Sequence, residues 1–168
     1  MLFHNLAIPT LFSLLFSVSM GVSQEVEKLG GFVLGSRLEE AEVNAKAHGW
    51  TISPLSVHLP GHWRIEGSNY TLFVCENKGL SVVGKINGDF EEFALIVMDM
   101  QSQWGEPVTQ IISSGVGVFS TIDASFSTDD GTTLVQLQSV NGRRSLTAQH
   151  SSNVECTIRD RAIGSEDR

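Results

Sequence analysis

The chain reads as an α+β protein, an antiparallel sheet with two helices packed on one face. Three observations predict this. Two segments, from about Arg37 to His48 and from Asp89 to about Gln103, carry helix punctuation at both ends and an apolar stripe between. Two others, Trp50 to Ile86 and Val108 to Ile158, are rich in β-branched and aromatic residues. Turn chemistry at Asn77-Lys-Gly79, Asp129-Asp130-Gly131 and Asn141-Gly142 cuts these into short strands of the kind that hairpins join.

Before the first helix, residues 1 to 24 contain no Lys, Arg, Asp or Glu, and Leu6 to Val18 is almost continuously apolar. This is the pattern of a secretory signal, with small residues at Gly21 and Ser23 where a signal peptidase needs them, so cleavage is expected near Gln24. The n-region departs from that pattern, offering only the terminal amine and His4 as cations. An apolar run of 13 residues broken by Pro and Ser is well short of the roughly 20 that span a bilayer. The expected organisation is therefore a signal peptide over 1–23, one α+β domain over 24–158, and a loose polar tail over 159–168. The product is an exported chain, periplasmic or secreted, that does not span a membrane after cleavage. All 11 Lys and Arg and all 19 Asp and Glu fall downstream of the signal, so the exported part keeps the formal charge of −8. That charge repels phosphate backbones, and nucleic acid is excluded as a partner class.

Ser36-Arg-Leu-Glu39 has capping-box spacing and opens the first helix. Its apolar face is modest, Leu38, Ala41 and Ala45, and its small alanines imply close packing on a sheet. The strand-rich region that follows contains one clear hairpin, Tyr70 to Glu76 with Leu80 to Ile86. Asp89 and Glu92 repeat the capping spacing at the second helix, where Phe90, Phe93, Val97, Met100 and Trp104 form one stripe. Leu95, Ile96 and Met98 widen that stripe nearly all round, which predicts the more buried helix. Gly105 and Pro107 end it, and a meander of three or four strands follows. Each helix is followed by strands after a similar set of punctuation marks, the layout a duplicated helix-plus-strands unit would have.

The stretch from Gly31 to Ala41, Gly-Phe-Val-Leu-Gly-Ser-Arg-Leu-Glu-Glu-Ala, together with Trp104-Gly-Glu-Pro107, resembles the wording of small bacterial envelope domains of the SmpA/OmlA and β-lactamase-inhibitor-like kind. The resemblance covers about 30 residues of short motif. It implies helices on one face of an antiparallel sheet and binding to other proteins. The chain departs from the SmpA/OmlA pattern in lacking a lipid-attachment Cys and in separating its helices by strands, and no functional residue carries over.

Residues that could carry chemistry are few. His58-Leu-Pro-Gly-His62 sets two imidazoles four apart, but Pro60-Gly61 opposes the helix that would aim both at a metal, so two surface histidines beside a turn is the plainer reading. Gly79-Leu-Ser81-Val-Val-Gly84 is one residue too long for a nucleophile elbow. Gly115-Val-Gly117 lacks the third glycine of a dinucleotide loop. Asp129-Asp130-Gly131 lacks the later bidentate Glu of a calcium loop and suits a hairpin turn. Glu39-Glu40 and Glu91-Glu92 fall in first helical turns, where they favour the helix dipole. No catalytic residue, metal ligand or cofactor is assigned. The expected function is a non-catalytic binding or assembly module whose partner is another envelope or extracellular protein. The alternative is a small metal-dependent or hydrolytic enzyme using His58 and His62, with His150 as a third group. Cys75 and Cys156, each in an extended run of an exported chain, are expected to form a disulfide between the middle of the sheet and its last strand.

Overall fold

The computed structural model describes residues 28–115 and 118–158. The expected signal peptide and polar tail lie outside them, as do Val116 and Gly117. A two-residue hairpin, β1 (Lys28–Leu29) and β2 (Phe32–Val33), leads into helix α1 (Leu38–Ala47). Four strands follow: β3 (Thr51–Pro54), β4 (His62–Glu66), β5 (Tyr70–Cys75) and β6 (Gly79–Ile86). Helix α2 (Phe90–Trp104) is followed by four more: β7 (Val108–Ser114), β8 (Phe119–Thr128), β9 (Gly131–Val140) and β10 (Arg143–Ser152).

The eight strands β3 to β10 form one antiparallel sheet in the order β3-β4-β5-β6-β10-β9-β8-β7. Each helix thus precedes a four-strand meander, and the last strands of the two meanders, β6 and β10, meet in the middle. The architecture is α+β, with both helices on one face.

That face is built by register. Leu72, Val83, Ala148, Val135 and Ala124 are successive cross-strand partners from β5 to β8, each no more than 2 % exposed. Small and β-branched residues in this row let α2 approach β8 and β9, where it buries Phe93, Ile96 and Met100. Val97 and Trp104 pack at the edge of the same core. The first helix lies over β3 and presses Ala41 and Ala45 inward, as their size implies.

Three expectations are corrected. Helix α1 is not capped by Ser36: Arg37 holds the N-cap position without a side-chain cap. The cause is tertiary, because Leu80 donates its N–H to the Ser36 carbonyl at 2.7 Å and accepts the Gly35 N–H at 2.8 Å, drawing this segment against the start of β6. The Asp89–Glu92 box does form, with the Glu92 N–H donating to Asp89 Oδ1 at 2.9 Å. Second, α2 is not apolar-buried all round. Leu95 and Met98 are 61 % and 66 % exposed and Phe90 59 %, because the sheet covers one side of the helix only. Third, Cys156 lies beyond the end of β10 rather than in a strand.

Candidate binding face and polar clusters

The face of the sheet opposite the helices follows from the same registers shifted by one residue. One row crosses all eight strands: Ser53, Arg64, Thr71, Gly84, Thr147, Gln136, Asp123 and Gln110. Every member is polar or glycine, and none is buried. The adjoining row is mixed, His62, Phe73, Val82, Gln149, Leu134, Ser125 and Val108. Among the described residues both helices sit on the other face, so this surface is left open.

The polar row carries an ion pair towards one end and a lone carboxylate towards the other. On β4, Arg64 Nε donates to Glu66 Oε1 at 2.8 Å, and Ser53 Oγ donates to the same oxygen at 3.1 Å. On β8, Asp123 Oδ1 accepts from Thr121 Oγ1 at 2.7 Å and from Gln136 Nε2 at 3.0 Å, so the carboxylate is fixed in place by two donors. Between them Thr71, Gly84 and Thr147 are uncharged. A Cβ at Gly84 would come 2.9 Å from Thr71 Oγ1, so glycine leaves a dip at the centre of the row. The stripe between Arg64 and Asp123 spans five strand spacings, about 24 Å, which suits a macromolecular surface better than a small ligand.

His58 and His62 are placed apart in role. His62 opens β4 on the open face with its ring 4.6 Å from that of Phe73, while His58 is exposed in the loop from β3, where its N–H donates to Ser56 Oγ at 3.2 Å. Among the described residues no group of three or more His, Cys, Asp or Glu side chains could hold a metal ion. The third histidine sits elsewhere, on β10: His150 Nδ1 is 3.0 Å from Thr133 Oγ1, and Nε2 is 3.3 Å from Asp130 Oδ2. This has the outline of a Thr-His-Asp relay, but Thr133 is 1 % exposed and its hydroxyl cannot reach a substrate. Nε2 is enclosed without an aligned hydrogen bond, so its link to Asp130 is one of charge when the ring is protonated. The hydrogen bond from Thr128, with His150 adding to it, holds the Asp130 carboxyl below the usual carboxylate range. Asp130 sits in the predicted hairpin turn.

A second cluster lies on the helix side. Lys85 of β6 pairs with Glu92 at the start of α2, its ammonium 5.8 Å from the centre of the Tyr70 ring. Burial pulls Lys85 down, but the Glu92 hydrogen bond and the charges of Tyr70, Glu92 and Asp89 outweigh it and its pKa ends raised. The pair docks α2 on the sheet.

Cys75 and Cys156 stand at disulfide distance, with Cα atoms 5.4 Å apart. The chain after β10 is held beside them by backbone and side chain together. The Glu76 N–H donates to the Thr157 carbonyl at 2.9 Å, the Thr157 N–H donates to Asn77 Oδ1 at 2.9 Å, and Asn77 Nδ2 donates to the Glu155 carbonyl at 2.8 Å.

No protein family, curated protein or solved structure matches the chain. Among the described residues no helix is long and apolar enough to cross a membrane. Reading the sequence alone missed the polar row entirely, because its members are ordinary strand residues until the register aligns them.

Proposed function

We propose that the protein is an exported, non-catalytic binding module that receives another envelope or extracellular protein on the open face of its sheet. The observation that carries this reading is the polar row across all eight strands, with Arg64 and Asp123 fixed near its ends. Eight strands at about 4.8 Å spacing and roughly 20 Å of strand length give on the order of 700 Å², close to the area one partner contributes to a standard interface. Neutral hydrogen-bonding groups with a few anchored charges are what the rim and polar parts of such interfaces use. Export rests on the apolar run Leu6 to Val18 and on two cysteines placed to pair.

Crosslinking capture from the native host tests it. Thr147→Arg and Gln136→Arg, in the centre of the row, should abolish capture of the partner that wild type retains, whereas Glu91→Arg on the helix side should not. Equal capture by all three variants would refute the face. A stoichiometric metal in untagged protein would transfer the reading to an enzyme using His58 and His62.

A further inference from the structure

The two edges of the sheet are treated differently. β3 is four residues long, ends in Pro54, which has no N–H to offer, and lies under α1. β7 holds the equivalent place after α2 but runs seven residues, Val-Thr-Gln-Ile-Ile-Ser-Ser, with no charge and no proline. All seven are exposed, Val108 at 75 % and Ile111 at 72 % among them, and α2 packs on β8 and β9 instead. Among the described residues nothing pairs with the outer side of β7. A long, flat, uncharged edge presents alternating N–H and C=O groups that only another extended strand satisfies, and proteins ordinarily blunt such edges.

We infer that β7 is a homodimer interface, in which two copies of this chain pair β7 with β7 antiparallel about a two-fold axis at Ile111. Ile111 is the midpoint of Val108–Ser114, so this register pairs all seven residues: Val108 with Ser114, Thr109 with Ser113, Gln110 with Ile112, and Ile111 with its own mate. Partners share a face, as antiparallel pairing requires, and the two Ile111 side chains meet on the helix-bearing side, where each already neighbours Ile122. The self-complementary register fits a second copy as occupant, and charge permits it. Each chain carries −8, and two such chains meet with least repulsion where neither presents a charge. β7 is such a place. The nearest carboxylate within the sheet, Asp123 on β8, would lie three strand spacings from its mate, about 14 Å or more, beyond the screening length of physiological salt. The contact leaves the open face free.

Sedimentation equilibrium should give twice the chain mass for wild type and the single mass for Ile111→Lys, which sets two ammonium groups against each other at the axis. Because Ile111 is exposed, unchanged far-UV circular dichroism should show that the variant folds. Ile111→Cys should cross-link into a covalent dimer under mild oxidation, while Val108→Cys, about 20 Å from its mate along the strand, should not. A wild-type monomer at the highest soluble concentration overturns the inference. So does a dimer that survives Ile111→Lys, a dimer split instead by Leu95→Lys on α2, or equal cross-linking by the two cysteine variants.

Discussion

His150 and Asp130 face each other across the turn end of the sheet, with imidazole Nε2 3.3 Å from carboxylate Oδ2, while the other ring nitrogen holds Thr133. One side chain of β10 thereby fixes the β8–β9 turn. The Asp130 carboxyl is held low in the folded chain, so its contribution is present above the unfolded carboxylate range, about pH 4, and is lost as pH falls through the lower folded value. Asp130→Asn should lower the melting temperature near neutral pH, and the gap from wild type should close as pH drops below about 4. A gap independent of pH would exclude the charge as its source.

The disulfide should be the largest single stabilising link. Cys75 and Cys156 are 81 apart in sequence, and closing a loop of that length removes on the order of 4 kcal/mol of unfolded-state freedom in the chain-entropy account. Alkylating the denatured protein without reductant should add no label, and after reduction two. Reduced protein should unfold at clearly lower denaturant concentration than oxidised.

The two sides of α2 should respond unequally to truncation. Met100 is fully buried, and Met100→Ala should cost about 2 to 5 kcal/mol. Leu95 is 61 % exposed, and Leu95→Ala should stay within about 0.5 kcal/mol. Chemical denaturation of both variants decides between this orientation and its reverse.

Gly79 and Gly142 share a left-handed backbone, φ 74° and 76°, but not surroundings. An added Cβ at Gly142 meets nothing within 4 Å, whereas at Gly79 it would stand 2.3 Å from the Ser36 carbonyl. Gly142→Ala should cost about 1 to 2 kcal/mol for conformation alone. Gly79→Ala should cost measurably more, because it also forces Ser36 off Leu80.

That same contact explains where sequence reading succeeded and where it failed. Local signals were reliable when local physics decided the outcome: the Asp89–Glu92 box forms, Asn141-Gly142 makes its turn with φ 50° and 76°, and Phe93 and Met100 face the sheet. Ser36 had equally good spacing, yet a strand distant in sequence claimed its carbonyl. The β1–β2 hairpin, Lys28–Leu29 with Phe32–Val33 about Gly30-Gly31 at positive φ, is not among the elements the sequence predicts, because strands of two residues carry no periodicity. The open polar row was not readable, since it depends on the register of seven strand pairs, and no single strand encodes its neighbour's alignment.

Among the described residues, the seam between β6 and β10 is where the two meanders share main-chain ladder bonds, five registered pairs from Ser145 with Ile86 to Gln149 with Val82. Each meander is made of short-range hairpins, while the seam joins segments some 60 residues apart, so closing it costs more chain entropy than closing any hairpin within a meander. Cys75 belongs to the first meander and Cys156 follows the second, so a bond between them spans this seam. Such a bond ties the two halves covalently across the ladder that joins them. A chain nicked between the halves, near Gly105, would stay in one covalent piece until reduced.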